Sequence, residues 1–558
     1  MDPESSIRKG KKQLASTRSC NRSPFDIEPF PISKLIEEQL LIKPGLPENY
    51  LLPTKKTSID GKSAVRRWTF GKRDESKSTK TILIVGETGT GKSTLINTMV
   101  NFMLGVRWED RIWFQITEED ARSQAKSQTS AITVYELFLE TSSSCLRIID
   151  TPGYGDTGGR ESDQQIAEHL NVLFRSEDGI HEIDAVGLVV KASQNRLTDF
   201  QHYIFDAVLS LFGKDIERNI VTFITHSDGL PAANVINALK DAEVPCAKDT
   251  RGKPLHFMFN NRQNETYEED QEVAYQGFWN LGYRSVEKFF SNLEEFNRVD
   301  LQMTVGVLRD RKILEACVHN LQDAIEMEEL KQNELKQTQT VLDQNRGKYE
   351  KKVMAKDFTY EVEEPCRVEK PIPVSKWKLT GQAMCCTVCK ENCHYPGCWW
   401  VRDNSWCSVM ENYFCKTCTG KCHFSVHVKW NQTYHSSTKK VRKTADDLKD
   451  AYEKEEESKT ALLNTKIKMC NLLEEAYQCI MELQEMALKK VALSTDVYLG
   501  VIKKMEEAGE DTDQPQESRL EMKIKAQTLK EIKEASHKKE GGLVLPKCQG
   551  AAALSCSS

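Results

Sequence analysis

The stretch Gly86-Glu87-Thr88-Gly89-Thr90-Gly91-Lys92-Ser93 fits the phosphate-binding pattern G-x-x-x-x-G-K-[ST] without a mismatch. A short apolar, β-branched run precedes it and a helical pattern follows it, as in a strand-loop-helix phosphate site. Lys92 supplies a charge for the β and γ phosphates, and the Ser93 hydroxyl can ligate magnesium. A chance match would not bring its own strand and helix, so the sequence predicts binding of a nucleoside triphosphate. The predicted contacts of this loop are Gly86, Glu87, Thr88, Gly89, Thr90, Gly91, Lys92, Ser93 and Thr94.

Length and composition limit the class of protein. A chain of 558 residues is too long for one hydrophobic core and suggests roughly three or four structural units. A net charge of −6 gives no reason to expect nucleic acid or an anionic membrane as partner. No apolar run approaches the roughly 18 residues of a membrane-spanning helix, so we expect a cytoplasmic protein without a transmembrane segment.

The order of patterns along the chain divides it into six regions. Strand-like runs alternate with helical patterns only in the second region, which predicts an α/β fold with a mostly parallel sheet and helices on both faces. Within the first region, residues 64–70 suggest an edge strand. The expected regions are a mostly disordered N-terminal region (1–78), the nucleotide-binding domain (79–298), a helical arm (299–358), a Cys/His module (359–440), a second helical arm (441–508), and a linker with a short basic helix and a tail (509–558).

A second nucleotide-binding element follows the next apolar strand. Residues 145–149 run into Asp150-Thr151-Pro152-Gly153. An acidic residue at the end of a buried strand is where such domains hold magnesium, and the Gly153 amide is free to face a γ-phosphate. Residues 108–130 form a long polar stretch that we interpret as a loop ordered only around magnesium and the γ-phosphate. We assign its metal-contacting threonine to Thr129, with Thr133 as the alternative.

The end of a third strand indicates which base is bound. Residues 220–224 lead into Thr225-His226-Ser227-Asp228, where the Asp228 carboxylate can accept hydrogen bonds from N1 and the 2-amino group of guanine, a pairing that adenine cannot offer. Guanine-binding domains usually carry lysine where this chain has His226, whose imidazole can still cover the base. A later strand ends in Asn260, which suits the guanine O6 atom.

Together these segments resemble the GTPases of immunity-associated proteins (GIMAP), which are septin-like GTPases of the TRAFAC class. The resemblance covers residues 79–298 and is carried by GETGTGKS, IIDTPGYGDT, DAVGLVVKASQNRLTDFQHYIFDAVLSLFG, ITHSD and FMFNN. It implies a guanine-nucleotide switch with GTP or GDP and Mg²⁺ as ligands, which forms a homodimer or homo-oligomer when loaded with GTP.

Hydrolysis is expected to be slow. In Ras-like enzymes a glutamine directly after the D-x-x-G segment orients the attacking water, whereas this chain has Tyr154. We assign Lys92, Ser93 and Thr129 to catalysis, and Ser93, Thr129 and Asp150 to magnesium. A nucleotide-bound scaffold without significant turnover is the alternative, and an ATPase is a third class.

Two heptad-like stripes predict the helical arms. Apolar residues at 4-3 spacing indicate either a coiled coil or one face of a helical bundle, and we expect the arms to pair as an antiparallel hairpin with the Cys/His module at its tip. The stripes are Leu314, Val318, Leu321, Ile325, Leu335 and Leu342 in the first arm, and Leu462, Met469, Leu473, Ala476, Ile480, Leu483 and Ala487 in the second. Polar residues interrupt them at Glu328, Gln332 and Gln339 in the first arm and at Lys466 in the second.

The Cys/His module contains an internal duplication. Nine of the 18 cysteines crowd between Cys385 and Cys422, and the pattern C-x-x-C-x-x-x-C-H-x-x-x-[CH] occurs twice, 29 residues apart. Thiolate and imidazole both suit tetrahedral zinc, so we predict two zinc ions, one per repeat, with disulfides or an iron-sulfur cluster as alternatives. The candidate ligands are Cys386, Cys389, Cys393, His394 and Cys398 in the first repeat, and Cys415, Cys418, Cys422, His423 and His427 in the second.

The sequence leaves the choice of ligands open. Four ligands per ion require either the cysteine or the histidine of each Cys-His dipeptide, and Cys385 or Cys407 could replace a member. Whether the sites are successive or crossed cannot be read from the spacing. We expect a closed, structural site that holds shape for a protein partner, with Trp399, Trp400 and Trp406 in its small apolar core.

Overall fold

The computed structural model describes much of the chain. Thr129 and Cys398, two of the predicted site residues, lie outside the described ranges. Among the described residues, no helix combines the length and apolar character needed to cross a membrane. The described residues are 32–37, 40–59, 65–117, 131–154, 159–193, 199–350, 358–372, 382–395, 397, 403–453, 455–488, 495–510 and 516–538.

The first half of the chain alternates strands and helices. Its strands, β1 to β13, are Leu40–Lys43, Glu48–Leu51, Lys55–Ser58, Val65–Gly71, Ser78–Gly86, Ile112–Gln115, Ile132–Phe138, Ser144–Asp150, Glu182–Ile183, Ala185–Lys191, Ile220–Thr225, His256–Met258 and Val299–Asp300. Its helices, α1 to α6, are Ile32–Glu37, Lys92–Met103, Gly159–Arg175, Asp199–Leu209, Ala233–Asp241 and Glu272–Glu295.

An eight-stranded mixed sheet organises this half. Its order is β12-β11-β10-β5-β8-β7-β4-β3, with the pairs β7–β8 and β3–β4 antiparallel and the others parallel. Along β5, Ile82 and Ile84 face a core shared with α2 and α6, while Leu83 and Val85 face a core shared with α3, α4 and α5. Helices therefore cover both faces, as predicted for a P-loop fold.

The N-terminal region contributes to this fold, so the prediction of a mostly disordered segment is wrong for residues 40–59 and 65–78. Strand β4 pairs with β7 on one side and β3 on the other, so it is an internal strand rather than the predicted edge strand. Its Val65 and Trp68 are buried in the two cores. The polar strand β3 forms the edge, where exposed lysines discourage further pairing.

The polar stretch at residues 108–130 also contains a buried strand, which the sequence analysis missed. All four residues of β6 are buried, and β6 pairs in parallel with β2 in a separate sheet of order β1-β2-β6. The side chain of Asn101 on α2 supports β6. Its Nδ2 atom donates to the Phe114 carbonyl oxygen at 2.7 Å, and its Oδ1 atom accepts from the Phe114 backbone amide at 2.9 Å. The side chain thus replaces a missing neighbouring strand.

The second half consists of long helices and a β-ribbon. Helix α7 is Gln302–Glu350. The strands β14 to β20 are Thr359–Pro371, Ala383–Cys386, Glu391–His394, Met410–Glu411, Phe414–Cys415, His427–Trp430 and Gln432–Thr444. The remaining helices, α8 to α11, are Ala445–Glu453, Glu455–Met486, Thr495–Glu510 and Gln516–Lys538.

Helices α7 and α9 pack against each other in opposite directions. A methyl group on Gly306, near the start of α7, would lie 3.6 Å from the sulfur of Met486 at the end of α9. Buried residues of α10 and α11, including Met505 and Leu529, join the same core. This arrangement is the bundle alternative of the sequence analysis. The predicted short basic helix corresponds to α11, which is longer than expected. One face of α11 is buried in this bundle, and that packing stabilises the helix.

The Cys/His module does not lie at the tip of the helical hairpin, so that prediction is wrong. Strands β14 and β20 pair along their full length and fold back along α7, where Arg367 forms an ion pair with Asp323 at 3.1 Å. The cysteine-rich part of the module therefore packs against the N-terminal half of α7. It docks there because its buried cysteines share a core with Leu314, Cys317 and Leu321.

Candidate nucleotide site and cysteine clusters

The phosphate-binding loop lies between β5 and α2. Gly89 and Gly91 have φ angles of +75° and +83°, a left-handed conformation that favours glycine. The Lys92 ammonium is buried and donates to the carbonyl oxygens of Gly86 and Glu87, each at 3.1 Å. Burial lowers the pKa of Lys92 to about 8, although the charge of Asp150 opposes the shift. An anionic phosphate at this loop would favour the charged lysine.

Asp150 ends β8 beside the loop, opposite Ile84 of β5. Its side chain is buried, and neither carboxylate oxygen has a hydrogen-bond partner among the described residues. Burial raises the pKa of Asp150 to about 7, against the opposing effect of Lys92. A buried carboxylate with two unused acceptors fits a hydrated magnesium ion. Thr133, the alternative to Thr129, lies opposite Asp150 on β7 and is buried in the sheet.

The segment after Asp150 is hydrogen-bonded to the phosphate-binding loop. The Tyr154 amide donates to the Gly86 carbonyl at 3.2 Å, and the Thr88 amide donates to the Tyr154 carbonyl at 3.1 Å. A methyl group on Gly153 would lie 2.3 Å from the hydroxyl and 2.6 Å from the Cα atom of Thr88, so only glycine fits. The Tyr154 ring is buried in the core beneath α3.

The end of β11 connects this loop to the predicted base-recognition residues. The Thr225 hydroxyl donates to the Thr90 carbonyl at 2.7 Å. The next residue, His226, has a φ of 52° and lies beside Gly91, where a methyl group would be 3.7 Å from the imidazole. Partial burial and the nearby positive charges of Lys191 and Arg262 lower the pKa of His226.

Asp228 and Asn260 follow neighbouring strands. The Asp228 side chain is exposed and accepts a hydrogen bond from the Leu230 amide at 2.9 Å. The Asn260 amide donates to the Ser227 carbonyl at 3.0 Å, which holds the ends of β11 and β12 together. The structure thus brings the loop, Asp150, Gly153, His226, Asp228 and Asn260 to one edge of the sheet, where the parallel strands end.

Two cations at this edge were missed by the sequence analysis. The Lys191 ammonium would lie 3.8 Å from a methyl group on Gly89. Arg262, like Lys191, is close enough to His226 for its charge to lower the pKa of that imidazole. Lys191 is the last residue of β10, between β5 and β11. Its position at the carboxyl end of a predicted parallel strand could have identified it.

The Cys/His module brings seven of the predicted ligands into two groups. Within each group the candidate ligand atoms lie within 4.8 Å of one another. The first group is Cys386, Cys389, Cys418 and Cys422, and the second is Cys393, Cys415, Cys418 and His427.

Both groups combine residues of both repeats, which is the crossed arrangement that the sequence left open. Strand β15 of the first repeat pairs antiparallel with β19 of the second, which places Cys386 opposite His427. The crossed arrangement follows from this strand pairing, which the spacing of cysteines does not specify.

The remaining candidates that the structure describes lie outside the two groups. The Nδ1 atom of His394 is 3.2 Å from the Cys407 sulfur, and His423 is exposed with its Nδ1 atom 2.9 Å from the Ser425 hydroxyl. The Cys385 thiol faces the Asn392 side chain at 3.6 Å. Trp406 is 61% exposed, so it is not the predicted core residue.

Comparisons with known proteins agree with the nucleotide-binding fold. The model of the AIG1 family matches residues 80–276. The chain is 27% identical over 155 residues to immune-associated nucleotide-binding protein 10 of Arabidopsis thaliana, a match covering 28% of this chain and 29% of that protein. It is 26% identical over 159 residues to translocase of chloroplast 34 of the same organism, covering 28% of this chain and 44% of that protein.

The chain thus spans less than half the length of these two relatives. A solved structure of Toc33 from Arabidopsis thaliana in complex with GDP and Mg²⁺ is 16% identical, with a TM-score of 0.29, covering 40% of this chain and 88% of that one. The match to the AIG1 family model thus extends over residues 80–276, about a third of the chain.

Proposed function

We propose that this protein is a guanine-nucleotide switch that binds GTP with Mg²⁺, hydrolyses it slowly, and dimerises or oligomerises when loaded. The observation that carries the proposal is the pair of buried, unused carboxylate oxygens of Asp150 beside the glycine-rich loop. Such a carboxylate is costly to bury unless a cation completes it. The AIG1-family match over the same residues supports this interpretation.

Each residue at the sheet edge has a role in this proposal. Lys92 would neutralise the β and γ phosphates, Ser93 and Asp150 would hold magnesium, and that ion would supply charge stabilisation for phosphoryl transfer. The Gly153 amide reaches the γ-phosphate. At the other end of the site, Asp228 recognises guanine and Asn260 contacts its O6 atom, with His226 beside the base.

Slow turnover follows from the position of Tyr154. Its ring is buried in the core and cannot orient a water molecule at the γ-phosphate. We expect an intrinsic rate of order ~10⁻⁴ to 10⁻² per second, rising when a second copy or a partner completes the site. The alternative is a nucleotide-bound scaffold without significant turnover. A protein partner for the helical and Cys/His region stays a prediction.

Base specificity is tested by calorimetry with GTP and ATP on the full chain. The wild-type protein should bind GTP in preference to ATP, and Asp228→Asn should relax that preference because the amide presents a donor to guanine N1-H. The matched control is Asp241→Asn, an exposed aspartate at the end of α5, which should leave the preference unchanged. Equal affinity of the wild type for both nucleotides contradicts the proposal.

Switching is tested by light scattering with GDP and with a non-hydrolysable GTP analogue, together with phosphate release at two protein concentrations. A switch should grow in mass with the analogue, and its turnover per molecule should rise with protein concentration. A scaffold should show neither effect. Concentration-independent turnover above about 1 per second contradicts the expected slow rate.

A further inference from the structure

The two groups of metal-capable residues in the Cys/His module share one member. Cys418 belongs to both, so the groups comprise seven residues in total. Two separate tetrahedral zinc ions would need eight protein ligands. Seven ligands make eight metal-ligand bonds if one thiolate bonds to both ions. The number of ligands among the described residues, which do not include Cys398, therefore matches a pair of ions joined through the Cys418 sulfur.

The sulfur spacing agrees with metal coordination. The Cys389 and Cys422 sulfurs are 3.6 Å apart. Two ligands at ~2.3 Å from a tetrahedral zinc ion are about 3.8 Å apart, whereas a disulfide requires about 2.05 Å. Of the seven ligand residues, six are cysteines with free thiols and the seventh is His427. The spacing thus favours a bound ion over a disulfide.

The orientation of His427 provides an independent observation. Its Nδ1 atom lies 3.0 Å from the His423 carbonyl oxygen, and a carbonyl can only accept, so Nδ1 carries the proton. Its Nε2 atom is buried, has no hydrogen-bond partner among the described residues, and belongs to the second group. The carbonyl fixes the ring orientation and the tautomer, so the lone pair of the other nitrogen, Nε2, is available to bind a metal.

Backbone amides surround the sulfurs of the first group. The Cys389 amide lies 3.4 Å from the Cys386 sulfur, and the Gly420 amide lies 3.3 Å from the Cys389 sulfur. The Cys422 amide lies 3.2 Å from the Cys418 sulfur. These donors favour thiolates, which are the metal-binding form.

Gly420 leaves room for the cluster. A methyl group there would lie 3.0 Å from the Cys422 sulfur and 3.1 Å from the Cys389 sulfur. The loop is also fixed from outside, because Thr419 donates through its amide and hydroxyl to the buried Glu391 carboxylate, which pairs with Lys468 of α9. The ligands are thus held in place by interactions other than the metal.

We propose that the Cys/His module holds a two-zinc cluster in which the Cys418 thiolate bridges both ions. One ion is completed by Cys386, Cys389 and Cys422, and the other by Cys393, Cys415 and His427. All ligand positions are filled by protein, so the cluster is structural and leaves no open site for chemistry. It joins the two sequence repeats into one unit, and it does not depend on the proposed nucleotide function.

Zinc content of the purified full chain tests this arrangement. The wild type should hold two zinc ions per chain, Cys422→Ala and His427→Ala should each retain one, and Cys418→Ala should lose both. The matched control is Cys385→Ala, a buried cysteine adjacent to Cys386 but outside both groups, which should retain two. One zinc ion or bound iron in the wild type, or one ion retained by Cys418→Ala, overturns the proposal.

A second measurement covers the case in which Cys418→Ala fails to fold. The wild-type protein loaded with ¹¹³Cd should give two NMR resonances, each split by coupling to the other nucleus through the shared sulfur. Two resonances without mutual coupling, or a single resonance, overturn the bridge whatever the variants do.

Discussion

At the scale of single residues, the proposed nucleotide site contains two buried groups whose charges are unfavourable in the folded domain. The pKa of Asp150 is raised to about 7 and that of Lys92 is lowered to about 8, both because of burial. Each shift means that the folded state disfavours the charged form. A nucleotide with magnesium would compensate both charges. Binding would therefore remove the cost in folding free energy of burying them.

The first prediction concerns Asp150→Asn, measured without nucleotide and in EDTA. Because the pKa of Asp150 rises from 3.8 to about 7 on folding, its contribution to stability is greatest below pH 3.8 and is lost as the pH rises towards 7. The free energy of unfolding of the variant, relative to that of the wild type, should therefore increase by about 1–4 kcal/mol as the pH rises over this range. Urea denaturation at several pH values checks this.

The same variant should bind GTP with Mg²⁺ more weakly, because it loses the carboxylate. A stability difference that does not change with pH would contradict the buried charge of Asp150. Lys92 stays charged throughout the range, because its pKa of about 8 lies above it.

The second prediction concerns Gly153→Ala. The added methyl group would overlap the backbone and hydroxyl of Thr88, so we expect a loss of about 1–3 kcal/mol in the free energy of unfolding and weaker nucleotide binding. The matched control is Gly277→Ala within α6, where a methyl group meets nothing within 4 Å. That change should be neutral or stabilise by up to about 1 kcal/mol. Thermal unfolding of both variants distinguishes them, and equal effects would contradict the close contact.

At the scale of elements, strand β6 depends on a helix for those backbone hydrogen bonds that its neighbour β2 does not make. Asn101 and Asn97 of α2 bond the backbone of residues 114–117, in the manner of a neighbouring strand. Since α2 begins at Lys92, the same helix that presents the phosphate-binding loop also fixes β6. Residues 116 and 117, the last described residues after β6, are therefore anchored to α2.

The third prediction concerns Asn101→Ala. It should leave the buried amide and carbonyl of Phe114 without partners, at a cost of about 1–3 kcal/mol for each group. Urea denaturation should show a clear loss of stability. The control is Asn292→Ala, a half-buried residue whose side chain bonds the Lys288 carbonyl within α6, and it should stay within about 0.5 kcal/mol. A loss no larger than the control's would show that β6 does not need this support.

At the scale of the whole molecule, the Cys/His module contacts the nucleotide-binding domain. The Asn171 amide of α3 donates to the Ser408 hydroxyl of the module at 3.3 Å, and the buried Glu168 of α3 pairs with Lys312 of α7. Helix α3 follows the segment Asp150–Gly153 in the chain. The proposed metal cluster and the proposed γ-phosphate site are therefore connected through α3.

The fourth prediction follows from this connection and depends on the proposed metal cluster. Removing the metal with a thiol-compatible chelator should loosen the module and expose its contacts, so amide hydrogen exchange should become faster in α3 and in the first turns of α7. Helix α5, which packs on the opposite end of the sheet, serves as the internal control and should not change. Unchanged exchange in α3 would show that the module does not support that helix.

The sequence alone determined the chemistry of the sites. The glycine-rich loop, Asp150, Asp228 and the paired cysteines each follow local patterns, because a phosphate cradle, a strand-end carboxylate and a ligand pair require particular residue types at short spacing. The mostly parallel sheet could be predicted for the same reason, since its buried strands are continuous apolar runs.

The tertiary structure alone decided what depends on contacts between distant segments. Strand β6 was missed because its partners, strand β2 and the asparagines of α2, are supplied by other segments of the chain. The crossed cysteine groups arise from the pairing of β15 with β19, and the position of the module arises from a ribbon that folds back along α7. Such contacts bury surface between residues far apart in the chain, and no local spacing encodes which of them form.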